Sequence, residues 1–123
     1  MLRQLAQSYL DTHFTRPDQA VADKVRSLIR QCLSTGLAAP APVAGMLAVT
    51  VRTLQRRLLA EGTSFDTLKD EVRRAMFADF MARQPPPPLS QVAAMLDYGY
   101  QSALSRSCRR WFGVAPSEYT GQA

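Results

Sequence analysis

The stretch Val92–Tyr119, VAAMLDYGYQSALSRSCRRWFGVAPSEY, decides how the chain is read, because apolar residues recur in it at helical spacing while arginines crowd the positions between them. Leu104, Cys108, Trp111 and Phe112 fall on one face of a helix running from about Gln101 to Phe112. Ser102, Ala103, Arg106, Arg109 and Arg110 are left facing outward, and no acidic residue lies within the helix. Ahead of it, Leu89 to Leu96 reads as a short helix and DYGY as a turn; Gly113 is the stop, and a last turn follows Pro116.

Upstream the same order of features appears in VAGMLAVTVRTLQRRLLAEGTSF, Val43–Phe65. Val43 to Leu47 matches Val92 to Leu96, Leu54 matches Leu104, Arg56 matches Arg106 and Gly62 matches Gly113. The second unit carries one extra residue in its turn and another before its glycine. Thr50 reads as the N-cap of a helix to about Ala60, with Leu54 and Leu58 inward and Arg52, Gln55 and Arg56 outward. A short helix, a tight turn and a longer helix with a one-sided apolar stripe is the helix-turn-helix layout, and here it occurs twice. Arginine can grip guanine O6 and N7 bidentately and glutamine can pair with adenine, so these outer faces carry residue types that read base edges. One arginine-rich helix face is ordinarily just solvated; two in matching frames, each behind a short helix and a turn, point to nucleic acid.

The flanking segments supply a frame. From Gln19 to Thr35 a helical stripe runs through Val21, Val25, Leu28, Ile29, Cys32 and Leu33, with Asp18 as candidate N-cap and Gly36 as stop. GLAAPAP is a loop whose Pro40 or Pro42 can open the short helix that ends at Leu47. Ser64 can cap a longer helix to Arg83 with the buried stripe Phe65, Leu68, Val72, Met76 and Phe80. About 20 residues would make a rod of roughly 30 Å. Pro85–Pro88 ends it and reads as a rigid connector. Leu2–Phe14 could form another helical stretch, broken at Arg16-Pro17, with His13 as a surface or capping residue. No alternating apolar run is long enough for a strand, so the expected class is all-α.

Bulk properties bound the function. With 123 residues the chain has room for one domain or two very small modules packed together. Its net charge of +5, carried almost wholly by arginine with Lys24 and Lys69 as the exceptions, suits a polyanionic partner. Cys32 and Cys108 read as small buried hydrophobes; neither a disulfide scaffold nor a metal site is indicated. No window approaches the roughly 18 to 20 apolar residues of a membrane helix and the N-terminus lacks a signal-peptide core, so a soluble cytoplasmic protein is expected. One histidine, no cysteine–histidine pair, no glycine-rich phosphate loop and no clustered carboxylates leave no catalytic constellation, so neither an enzyme nor a cofactor is expected.

The segments MLAVTVRTLQRRLLAEGTSF and LDYGYQSALSRSCRRWFGVAPSEY resemble the two halves of the DNA-binding domain of the AraC/XylS family of bacterial transcription regulators, and the resemblance covers about Val21 to Tyr119. It implies two helix-turn-helix subdomains joined by a long linker helix, a homeodomain-like tandem: 19–63 and 85–123 as the subdomains, 64–84 as the linker, and 1–18 as an N-terminal extension or interdomain segment. Carried over by position, the base-reading candidates are Arg52, Gln55 and Arg56 in the first recognition helix and Gln101, Ser102 and Arg106 in the second. Thr50, Arg57, Arg109 and Arg110 are the phosphate-contact candidates. The expected partner is a double-stranded, asymmetric DNA operator in the bacterial nucleoid, with RNA polymerase as a further partner and a separate N-terminal effector or dimerisation domain in the parent protein. The competing expectation is a helical module whose arginine faces bind an acidic protein. Ala48 and Asp97 stand at turn positions where the family usually has glycine, and Cys108 where an aromatic is common.

Overall fold

The computed structural model describes residues 20–119. Leu2–Phe14, His13 and the candidate cap Asp18 lie outside the described residues. Within them every regular element is helical: α1 (Val21–Cys32), continued by a 3-10 turn (Leu33–Thr35), α2 (Pro40–Met46), α3 (Val51–Ala60), α4 (Phe65–Met81), α5 (Leu89–Met95), α6 (Gln101–Phe112) and a closing 3-10 turn (Pro116–Glu118). The architecture is two helix-turn-helix units, α2–α3 and α5–α6, joined by the linker helix α4.

Local chemistry sets the boundaries. Pro40 occupies the first position of α2, where its missing amide hydrogen costs nothing. Thr50 and Ser64 cap α3 and α4 by accepting from the amides of Thr53 (3.1 Å) and Thr67 (3.2 Å). Gly36, Gly62 and Gly113 turn the chain out of its helices with φ of 77°, 78° and 79°, a left-handed conformation that costs glycine nothing. α1 begins later than its periodicity suggests. Its cap residue, Ala20, has no side-chain oxygen, and the amides of Val21 and Ala22 donate instead to the Glu61 carboxylate, at 2.9 Å each. The first acidic residue after α3 is thus turned onto the positive end of another helix.

One connected apolar cluster runs through both units. Val25, Ile29, Val43, Leu54, Leu58 and Leu68 are fully buried in the first half, and Phe77, Val92, Leu96, Leu104 and Cys108 in the second. The linker helix serves both halves from two stripes. Phe65, Leu68, Val72 and Phe80 are buried, and Arg26–Glu71 (3.0 Å) and Arg30–Asp79 (3.2 Å) tie the helix to α1, against which it packs. Phe77 faces the second unit, its ring centroid 6.2 Å from Trp111, 6.0 Å from Phe112 and 5.1 Å from Tyr119. Periodicity assigns Met76 to the buried stripe, yet Met76 is half-buried and Phe77 is enclosed. A single-stripe reading cannot see a helix that packs on two sides. The linker is also shorter than its sequence pattern implies: 17 residues give about 25 Å.

Candidate nucleic-acid interface

The repeat holds down to individual hydrogen bonds. In the first turn the amide of Ala48 donates to the Gly45 carbonyl (3.0 Å) and that of Val49 to Ala44 (3.0 Å); in the second, Asp97 donates to Ala94 (3.1 Å) and Tyr98 to Ala93 (2.9 Å). Ala48 and Asp97 both adopt positive φ, 57° and 65°. Equivalent positions of the two units thus make the same tight turn, and each turn delivers the chain into its longer helix.

Burial then sets the roll of those helices. Leu54 and Leu58 in α3, and Leu104 and Cys108 in α6, have no exposed surface. The opposite faces are therefore open: Arg52, Gln55, Arg56 and Arg57 on α3, and Gln101, Ser102, Arg106 and Arg109 on α6, are all exposed. Thr50 is exposed too, with its hydroxyl engaged in capping α3.

The cations divide by location. Among the described residues Arg52, Arg56, Arg57, Arg106 and Arg109 have no acidic partner, and no Asp or Glu lies within either helix. Arg26, Arg30, Lys69 and Arg110 are all ion-paired. Arg73 donates to two backbone carbonyls, while Arg74 and Arg83 lie over the rings of Phe112 (5.1 Å) and Phe80 (4.7 Å). The arginines with no acidic, carbonyl or aromatic-ring partner among the described residues are thereby concentrated on the two faces that the turns project.

Arg110 is placed differently from the other candidates. Its guanidinium donates to both oxygens of Asp70, 3.0 Å each, and the Trp111 indole N–H donates to the same carboxylate. Burial alone would raise the Asp70 carboxyl, but the hydrogen bonds from Arg110 and Trp111 and the charges of Arg110 and Arg73 outweigh it and hold it below its ordinary value. Arg110 therefore joins α6 to the linker helix. Burial pushes the Cys108 thiol up, which suits a packing residue and not a nucleophile.

Reading the motifs alone missed the residues beneath the second turn. Lys69 pairs with Asp97 (3.1 Å), Arg73 with the Leu96 and Asp97 carbonyls, and Tyr98 donates to Ser107 in α6 (2.8 Å). Asp70, Arg73 and Phe77 recur at helical spacing, the one signal that could have exposed this second stripe. Tyr100, with 77% of its surface exposed, stands immediately before Gln101 and extends the open face.

Two such units, each presenting a bare cationic helix, define a tandem helix-turn-helix domain. A family described as a helix-turn-helix domain matches residues 43–122. The HTH-type transcriptional regulator VirS of Mycobacterium tuberculosis is 43% identical over 117 residues, covering 95% of this chain and 34% of VirS. An uncharacterized HTH-type transcriptional regulator of Mycobacterium bovis is 45% identical over 78 residues, 63% of this chain and 22% of that protein. Among solved structures, the C-terminal domain of AraT, a response regulator from Geobacillus stearothermophilus, shares the fold with a TM-score of 0.68 at 23% identity, covering 85% of this chain and 94% of that one. The chain belongs to the AraC-type helix-turn-helix family, which is not an enzyme family. It spans about a third of the length of VirS.

Proposed function

We propose that this chain binds double-stranded DNA sequence-specifically for transcription regulation, with α3 and α6 as recognition helices in successive major grooves of an asymmetric site. The observation that carries this reading is the segregation of arginines: those with no acidic, carbonyl or aromatic-ring partner among the described residues lie on the two projected helix faces. A negatively charged groove supplies the missing counter-charges, and the paired turns supply the docking geometry. Arg52, Gln55, Arg56, Gln101, Ser102 and Arg106 read base edges in this scheme, and Thr50, Arg57 and Arg109 contact phosphate. Arg110 reaches phosphate only by leaving Asp70. Residues 19–63 and 85–123 act as the reading units and 64–84 as the bridge. The parent regulator adds an N-terminal effector or dimerisation domain and works with RNA polymerase at the nucleoid.

Selection of bound sites from random duplexes, followed by affinity measurements on matched and mismatched DNA at fixed salt, tests the assignment. Arg56→Ala or Arg106→Ala should cost about 1–3 kcal/mol on the preferred site and flatten discrimination at one or two base pairs. Arg109→Ala should weaken all duplexes alike and lower the salt dependence. If Arg106→Ala lowers matched and random binding by one factor, its base-reading role is wrong.

A further inference from the structure

The linker helix does more than separate the two units. Just beyond the end of α5 the chain turns with carbonyls that no helix takes up, and a single side chain binds two of them: Arg73 donates through Nε to the Leu96 carbonyl and through Nη2 to that of Asp97, both at 2.7 Å. Its guanidinium lies 4.0 Å from the centre of the Tyr98 ring, and the Tyr98 hydroxyl donates to Ser107 Oγ in the buried face of α6 (2.8 Å). A continuous path of contacts therefore leads from the linker helix through the turn into the second recognition helix. One turn of α4 earlier, Lys69 holds the Asp97 carboxylate and Asp70 holds the far end of α6. The arginine fork suits this task because its planar donors fix direction as well as distance. Among the described residues no side chain donates to the carbonyls of Leu47 or Ala48, the matching positions of the first turn.

We infer that Arg73 is a positioning residue: by gripping the α5–α6 turn it fixes the second recognition helix against the linker helix, and so sets the spacing between DNA boxes that the protein accepts. This rests on the DNA-binding reading above and deepens it. Holding α6 in place before DNA arrives removes an ordering cost from binding, and it also restricts which separations both helices can engage together.

The test uses duplexes bearing the selected site, the same site with one or two base pairs added or removed between its boxes, and the second box alone. For the unaltered chain, affinity should peak at one spacing. Arg73→Met should lower affinity at that spacing by about two- to thirtyfold, the range seen when coupling residues are changed, and shrink its advantage over the altered spacings. Affinity for the second box alone should stay the same, because no base-facing group has changed. A loss by one factor on every duplex, with the spacing profile unmoved, would mean a merely structural role and overturn the inference. Should Arg73→Met fail to fold by circular dichroism, Tyr98→Phe carries the test: it keeps the ring under the guanidinium and removes only the tie to Ser107. It should broaden the profile to a smaller degree, and an unchanged profile overturns the inference equally. If the unaltered chain prefers no duplex sequence, the DNA-binding reading falls and this inference with it; a sequence preference with an unmoved profile in the variants removes this inference alone.

Discussion

In the first unit Ala48 holds a left-handed backbone with no polar group on its side chain to anchor it; in the second, Asp97 holds the same conformation with its carboxylate on Lys69 and its carbonyl on Arg73. The two turns have equivalent backbone hydrogen bonds. They differ in how the linker helix treats the unit around them. The first unit lies beside an interface in which α1 packs on α4 through buried apolar residues, whereas the second is held by long polar side chains and by the Phe77 ring. The comparison teaches that one local pattern can be built into a fold in two ways. Helix-on-helix packing needs no particular atom, while a fork on two carbonyls depends on one side chain and fixes orientation more narrowly.

The largest effect that sharpens this comparison comes from the docking leucines. Leu54→Ala and Leu104→Ala should each cost about 2–5 kcal/mol, since both side chains are fully buried. Because both sit in one connected cluster, unfolding followed by helicity and by Trp111 fluorescence should coincide in each variant. Separate transitions for Leu54→Ala would show that the first unit melts alone and that the linker does not couple the two. An unchanged melting point for either variant would mean that the helix rolls, and with them the outward faces, are set differently.

A smaller effect should distinguish the turns themselves. Left-handed backbone costs a residue with a Cβ roughly 1–2 kcal/mol, and glycine returns part of that gain through its freedom when unfolded. Ala48→Gly should therefore stabilise the chain by about 0.5–1 kcal/mol in thermal unfolding. Asp97→Gly should bring no such gain, because it also removes the partly buried pair with Lys69. Equal stabilisation by both substitutions would show that the Lys69 contact is idle and that the two turns are held alike.

Much of this fold is legible in the sequence because its signals are local. Thr50, Ser64, Gly62 and Gly113 mark helix ends by their own chemistry, and Leu54 and Leu104 mark the buried faces by spacing. The exposed positions of Arg52, Gln55, Arg56, Gln101, Ser102 and Arg106 follow from those leucines. What escapes is long-range and polar. Arg73 and Lys69 look like solvated residues of a linker helix, since hydropathy cannot tell a cation that faces water from one that reaches a carbonyl 23 or 24 residues along the chain. Arg110 looks like its neighbour Arg109 until Asp70 is brought beneath it. Glu61 reads as the end of one helix, and its role lies at the start of another, 40 residues upstream.

The central claim is that two unlike reading helices are held at a fixed separation, so the most direct measurement changes the separation of their targets and nothing else. Five base pairs, about half a turn of duplex, inserted between the two boxes of the selected site would carry one groove to the far face of the DNA. Gel-shift titration at fixed salt, beside the unaltered site and each box alone, reads the outcome. The account predicts that affinity for the spread site falls to that of a single box, because the linker helix and its grip on the second turn let α3 and α6 engage only grooves on one face. Undiminished affinity across the insertion would contradict it, showing that the linker bends freely or that one unit alone binds.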